Sequence, residues 1–292
     1  MSKFVQALSD GILGGAVYAL MAAGLTLIFG VMDIINIAQG VLVILAAYLS
    51  YALSAHLHLD PLLSLLITVP LMFVLGVVIQ WAFMGRLRGG ERTAMSLLVS
   101  YGVAVIIEGA LYQTFGSQYV GLQAWYTTAT VHVFGYYLPY SYLFGFGLAV
   151  VALAAIYLML YRTRFGRSIR ATVQDKTAAR LIGINVDRVA ALTFGIGVAA
   201  AAAGGAMYGL TTPFNPDSGY DLISRLLSIV ILGGMGSIGG ALVAALFMVT
   251  AEEMVNVFWE PKWATAAYYA AIVIVLLVRP QGLFGRREAT AQ

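Results

Sequence analysis

Residues 140–161 read YSYLFGFGLAVVALAAIYLMLY, residues 162–188 read RTRFGRSIRATVQDKTAARLIGINVDR, and residues 189–211 read VAALTFGIGVAAAAAGGAMYGLT. The two outer runs contain no charged residue, and each is long enough to cross about 30 Å of hydrocarbon as a helix. The stretch between them holds seven of the sixteen Lys and Arg residues of the whole chain. A span, a basic loop and a second span decide the fold class and begin to fix its orientation.

Working outward, further apolar runs occupy about 11–29, 38–55, 62–84, 94–112 and 264–278, with a compound region at 222–258. The composition agrees: 61% of residues are hydrophobic and 10% charged, against about 25% charged in a soluble domain. Mean hydropathy is +0.89. The expectation is an all-α membrane protein, a polytopic helical bundle of about eight transmembrane segments with broken or re-entrant helices. It would form one integral domain over residues 1–292. The thirty-two glycines suit close helix packing and helix breaks. There is no cysteine, so disulfides and thiolate metal sites are excluded. The first apolar run lacks a clear basic flank and reads as a retained span rather than a cleaved signal.

Charge placement sets sidedness. The loop 86–92 has three arginines, 162–188 has seven basic residues, and the tail from Arg279 has three, together thirteen of sixteen. The 27 residues 113–139 carry no Lys, Arg, Asp or Glu, and are rich in Tyr, Trp and Thr. The basic segments are therefore expected on the cytoplasmic side, the C-terminus included, and 113–139 outside. By parity, 222–258 starts and ends outside, yet its 37 residues are too few for two ordinary spans. A short inbound helix, a break at GGMGSIGG (233–240) and a longer outbound helix fit. Such a break either lines a translocation path or serves glycine-mediated packing. For the N-terminus two readings stand: counting back puts it outside, whereas a second break at DIINIAQG (33–40) would add a half-crossing and put it inside.

Several residue groups invite a functional reading. Asn36, Gln39 and Gly40 interrupt an apolar stretch, and either line a path or hydrogen-bond between helices. Glu108 lies deep in a span, a proton-relay candidate by default, though a neutral carboxyl bonded to a neighbouring helix is favoured. Glu252 and Glu253 lie nearer an outer helix end. His56, His58 and Asp60 form HLHLD, but His132 is the only other histidine, and an ordinary interfacial loop is the better reading than a zinc site. The sole Lys-Thr pair, Lys176–Thr177, has no preceding glycine, so there is no phosphate-binding loop and no cofactor pattern. Any ATP chemistry belongs to another chain. GGAVYAL (14–20) and GGAMYGL (204–210) hint at an internal repeat.

Within the basic loop, residues 170–182 are expected to form one helix of about three turns. Asp175, Ala178, Ala179 and Ile182 give it a small, smooth face beside Arg170 and Arg180. Gly183 is placed to end it, and Asn185 opens the approach to the next span. Such a helix between two membrane helices suits a groove on a soluble partner.

Four motifs, NIAQG (36–40), TRFGRSIRATVQDKTAARLIGIN (163–185), GGMGSIGGA (233–241) and RPQGLFG (279–285), make the chain resemble the permease subunits of branched-chain amino-acid ABC importers. The resemblance implies a second related permease, two cytoplasmic ABC ATPases and a periplasmic solute-binding protein in a bacterial inner membrane. Lipid and proteins are the partners, not nucleic acid. It implies that 170–185 supplies the coupling helix. It also implies that Asn36, Gln39 and Gly40, with Gly233, Gly234, Gly236, Ser237 and Gly239, lie near the pathway. Leucine, isoleucine and valine are the expected solutes. The alternatives are amides, urea or simple sugars carried by a related ABC permease, or a proton-coupled secondary transporter using Glu108. No pair of residues suggests an intramembrane enzyme.

Overall fold

Each long apolar run is a helix in the computed structural model, which describes residues 2–87, 92–133, 136–259, 261–279 and 282–284. Among these residues lie twelve helices. They are α1 (Ser2–Met32), α2 (Ala38–Leu57), α3 (Pro61–Ala82), α4 (Arg92–Phe115), α5 (Trp125–Thr128) and α6 (Tyr140–Arg162), then α7 (Arg164–Gln174), α8 (Lys176–Leu181), α9 (Val186–Thr211), α10 (Ser218–Gly233), α11 (Ile238–Phe258) and α12 (Pro261–Val278). A short hairpin pairs β1 (Thr130–Val133) with β2 (Tyr136–Pro139), Thr130 opposite Pro139. Eight helices are long and apolar enough to cross a bilayer. The protein is a multi-pass helical membrane protein.

Two sets of contacts show which helix ends share a face. On the basic face, Lys176 Nζ meets Asp33 Oδ2 at 2.5 Å and Thr93 Oγ1 donates to the Asp33 carbonyl at 3.0 Å. There too the Leu283 amide donates to the Leu232 carbonyl at 2.7 Å. On the hairpin face, Gln6 Nε2 donates to the Tyr137 carbonyl at 2.8 Å, and Phe4 packs on Phe258. Tyr126 on α5 donates to Asp60 at 2.8 Å, and Val120 bridges Phe214. The start of α1 therefore lies opposite the basic loop, which resolves the two N-terminal readings: the break at 33–37 does not reverse α1. The chain makes nine transits once α10 is counted, one more than the eight long helices. At 16 residues α10 is only about 24 Å long, too short to register as a span from hydropathy.

α10 and α2 share the way they begin. Residues 33–37 lead from the basic face to α2 outside any helix, and residues 212–217 lead from the hairpin face to α10. The Ile37 amide donates to Ser100 Oγ, two turns into α4, and Gln39 Nε2 donates to the Gly197 carbonyl, three turns into α9. α2 and α10 thus enter from opposite faces and their first turns meet. A Cβ on Gly40 would lie 2.1 Å from the Gly219 carbonyl oxygen, and one on Gly219 would lie 2.9 Å from Val41 Cα. Asn36 stands four positions after the end of α1, and Asn215 four after the end of α9. Each asparagine bonds the residue three further on, Asn36 to Gln39 and Asn215 to Ser218, and a glycine follows. The repeat is therefore one of inverted topology, N-x-x-[Q/S]-G in register, and the GGAVYAL and GGAMYGL segments fall out of register with it.

Around this crossing α9 is the central post, packed on α1, α2, α3 and α6. Its alanines and glycines admit close backbone approach, which is how apolar helices associate when lipid offers no hydrophobic contrast. Gly197 meets Gly24 of α1, and Gly195 meets α3 at Phe73. Large aliphatics on α3, α4, α6 and α12 face outward, as the lipid boundary requires.

The glycine crossing generates a contrast. Gly40→Val should destabilise the fold by roughly 1–3 kcal/mol through overpacking against backbone that cannot move aside. Gly102→Val should be silent, because nothing lies within 4 Å of a Cβ there. Thermal unfolding of the detergent-solubilised variants separates the two, and equal melting temperatures would refute the tight crossing.

Candidate functional site

The basic loop folds as two helices rather than one over 170–182. Asp175 takes an extended conformation with φ −157° and separates α7 from α8. Its Oδ1 accepts from the amides of Thr177 and Ala178 at 2.7 and 3.0 Å, so the carboxylate caps α8 instead of presenting a surface. Gly183 ends α8 with φ +86°, a conformation glycine adopts without strain. Asn185 caps α9 through the Arg188 amide at 3.0 Å.

The exposed surface differs from the one the loop's charges suggest. Arg170 folds back, donating to the Leu160 carbonyl with its guanidinium 5.2 Å from the Tyr161 ring centroid. Ala179 is buried, Ala178 is exposed, and Arg180 pairs loosely with Asp187 at 3.5 Å. The outermost side chains are Leu181 and Ile182, 84% and 74% exposed. Two adjacent large aliphatics on a charged segment beyond the membrane are the signal the sequence offered for them. Such a pair is best explained by a partner that covers it.

This loop is joined to the membrane break. Lys176, the first residue of α8, bridges to Asp33, and its Nζ also lies 3.4 Å from the Met32 carbonyl. Asp33 holds φ +55°, unusual for a residue with a side chain. The exposed bridge itself stabilises the fold by at most about 1 kcal/mol. Its importance is positional, since it fastens α8 to the segment that enters the membrane as Asn36 and Gln39. Both amides are fully buried, and Asn36 Oδ1 has no hydrogen-bond partner.

The glycine turn stands at the other end of α10. Gly234 and Gly236 have φ +94° and +83°, and Ser237 Oγ caps α11 by accepting from the Gly240 amide at 3.1 Å. A Cβ on Gly233 would lie 2.5 Å from the Ala241 amide nitrogen, so the helices of this hairpin touch through backbone. Gly236 and Gly239 are exposed, and Gly236 faces Gly30, near the basic-face end of α1. The break thus lies at the basic face, not at mid-membrane depth. Asn36, Gln39 and Gly40 cluster together, while the 233–239 glycines lie one helix length away. Arg279 and residues 282–284 pack beside this turn, whereas Pro280, Gln281 and Gly285 of RPQGLFG, and Arg88, Arg286 and Arg287, fall outside the described residues.

Glu108, Asp217 and Glu252 are each bonded across helices. Tyr220 donates to Glu108 Oε2 at 2.6 Å, and Tyr112 donates to Asp217, a reciprocal clamp of α4 on the start of α10. Arg225 on α10 meets Glu252 on α11 at 2.5 Å. This pair was missed because Arg225 sits alone in an apolar run, where a lone cation is itself the signal. On the hairpin face Asp60 caps α3 through the Leu62 amide at 2.8 Å and accepts from Tyr126. Burial, and then the bond to Asp60, push the Tyr126 phenol above its ordinary value, so it remains a donor at neutral pH. No group of His, Cys, Asp and Glu among the described residues is arranged to hold a metal ion.

The fold is thus a many-span helical bundle with a capped short helix on its basic face. Residues 7–277 match the family described as branched-chain amino acid transport system / permease component, and the chain belongs to that family. It is 29% identical to the high-affinity branched-chain amino acid transport system permease protein LivH of Escherichia coli K12, over 98% of this chain and 96% of the relative. It is 28% identical to the permease protein BraD of Pseudomonas aeruginosa, over 98% and 97%. A shorter match, 30% identical over 49% of this chain and 34% of the other, joins it to LivM of Escherichia coli, a permease protein of the same transport system.

The cap assignment has a local readout. Asp175→Ala should cost α8 about 1 kcal/mol and speed amide exchange over residues 177–182 about fivefold. Asn185→Ala should act instead on the first turn of α9. Unchanged exchange in α8 would show that packing rather than the cap holds it.

Proposed function

We propose that this chain is one of two related permeases of an ATP-driven ABC importer of leucine, isoleucine and valine. Its basic face, with the C-terminus, lies in the cytoplasm of a cell with the bacterial inner-membrane arrangement. Two cytoplasmic ATPases bind there and carry all nucleotide chemistry. A periplasmic solute-binding protein docks on the hairpin face, against residues 113–139 and 212–221, and performs much of the selection. Amides or urea are the second reading for the solute, on the same architecture.

The observation that carries this reading is the α8 tip. Leu181 and Ile182 stand exposed on the basic face, and the same short helix is clasped through Lys176 to Asp33. Movement of α8 with an ATPase pulls on the segment 33–37. That segment carries Asn36 and leads into Gln39 and Gly40 of α2, where Gly40 abuts the first turn of α10 at Gly219. α10 then acts as the moving wall of the route. Asn36, Gln39 and Gly40 border its buried start, and Gly233, Gly234, Gly236, Ser237 and Gly239 border its cytoplasmic end. Arg170, Asp175, Ala178, Ala179, Arg180, Gly183 and Asn185 shape and hold the coupling element, while Leu181 and Ile182 make its contact. The orphaned acceptor of Asn36 supports motion at this hinge, since a buried polar atom without a partner favours any rearrangement that supplies one. A proton-coupled mechanism at Glu108 is not favoured, because its carboxylate already serves the α4–α10 clamp.

The test is uptake of radiolabelled leucine into proteoliposomes containing the complete assembly, with binding protein outside and ATP inside. Wild type should accumulate leucine only with ATP. Leu181→Asp/Ile182→Asp should lose uptake and fail to retain the ATPases on purification. Lys176→Ala should retain them yet lower uptake. Uptake that follows a proton gradient and ignores ATP would overturn the proposal.

A further inference from the structure

A cavity of about 280 Å³ lies between α1, α6, α9, α10 and α11, apart from the α2–α10 crossing. The helix segments around it, marked by Asp10, Ser141, Thr211 and Glu253, are all hairpin-face ends, so it opens toward that face. Its walls differ in kind. Val17, Met207, Leu222 and Val249 offer aliphatic surface, and Gly14 and Gly145 leave room beside them. Arg225 and Glu252 line it together, with side chains 24% and 11% exposed. Asp10, Asp221 and Glu253 add carboxylates, and Tyr18, Tyr142 and Tyr208 add phenols.

The bonding within the cavity is incomplete. The Arg225 guanidinium makes one hydrogen bond to protein, through Nη1 to Glu252, and lies 5.4 Å from the Tyr268 ring centroid. Its remaining N–H donors have no protein partner among the described residues, although guanidinium carries five. Asp10 is bound by Gln6 at 3.1 Å, but Asp221 has no hydrogen-bond partner among the described residues. A desolvated ion pair is a poor way to gain stability, because apolar side chains of the same volume serve as well or better. Kept beside an open polar cavity within the membrane, it marks a solute site.

We propose that this cavity is the permease's own receiving site for a zwitterionic α-amino acid with an aliphatic side chain. The unused guanidinium donors of Arg225 take the α-carboxylate, and Asp221 with the excess of carboxylates takes the α-ammonium. The side chain lies on Val17, Met207, Leu222 and Val249. The solute class rests on the importer reading, while the site itself rests on the cavity. Because Arg225 and Asp221 both stand on α10, movement of that helix shifts both ends of the bound zwitterion at once. The site therefore holds solute on the hairpin side until the wall moves.

The experiment uses the complete permease–ATPase assembly in nanodiscs, without binding protein or ATP, and measures equilibrium binding of radiolabelled leucine. Saturable binding is expected, displaced by isoleucine but by neither 3-methylbutylamine nor 4-methylpentanoate, each of which lacks one charged end. Arg225→Gln/Glu252→Gln removes both partners together and should weaken binding about tenfold or more. Asp221→Asn leaves the ion pair intact and should weaken binding about threefold, giving a readout if the double variant fails to assemble. Wild-type levels of binding in either assembled variant, or no binding by wild type, would overturn the site. Displacement by the amine alone would replace the zwitterion with a simple cation. ATP-dependent uptake by wild type in proteoliposomes is measured in parallel. Uptake without direct binding refutes only this site, and loss of ATP-dependent uptake refutes the importer reading.

Discussion

The backbone contact of Gly40 with Gly219 is the constraint on which the rest of the architecture depends. Two helices that begin inside the membrane leave their first amides without helical partners, and lipid supplies none. The chain meets this by bringing both beginnings together inside protein. On the α2 side the Ile37 amide donates to Ser100 Oγ, and on the α10 side Asn215 and Ser218 each accept the other's amide through the side chain. Any side chain at Gly40 or Gly219 would separate the two turns. The segments 33–37 and 212–217 then lead to opposite faces, and α10 with the eight long helices makes an odd number of transits, which leaves the start of α1 and the tail on opposite faces.

Charge is handled by a comparable division of labour. Most basic residues stand on one face, where water solvates them at no cost. Of the ionisable groups at membrane depth, Glu108 is bonded to Tyr220 and Arg225 to Glu252. The two pairs are not equivalent. The first has a phenol donor, and it clamps α4 to α10. The second keeps donors unused beside open space, which is an arrangement for a ligand rather than for packing. α10 belongs to both, and also to the glycine crossing and the glycine turn, so a displacement of this one helix is felt at all four.

The basic loop illustrates where residue pattern misleads. RATVQDKTAARLI has the composition of a continuous helix, and Asp175 is tolerated mid-helix by propensity alone. Its carboxylate instead caps a second start, and the competition between a side-chain cap and an interior helical position is settled by the packing of α7 on the end of α6. The cap turns α8 so that Leu181 and Ile182 point away from the membrane and Lys176 points at Asp33. Arg170 and Lys176, two of the charges that draw attention in the sequence, hold the loop in place, and the two aliphatics are left exposed.

By itself the sequence determined the class of protein, the positions of the long helices, the segregation of basic residues to one face and the family motifs, because hydropathy, charge and local motif are properties of contiguous residues. It also marked 33–40 and 233–240 as interruptions, since Asn, Gln and clustered Gly are conspicuous among aliphatics. Only the tertiary structure decided that α2 and α10 begin against each other, that the 233–240 break lies at the basic face, and that the N-terminus lies opposite the basic loop. It alone paired Arg225 with Glu252 and Lys176 with Asp33. Each of these depends on residues far apart in sequence meeting in space, as Gly40 meets Gly219 and Phe4 meets Phe258, and no local pattern encodes which distant partner a buried glycine or a lone cation will find.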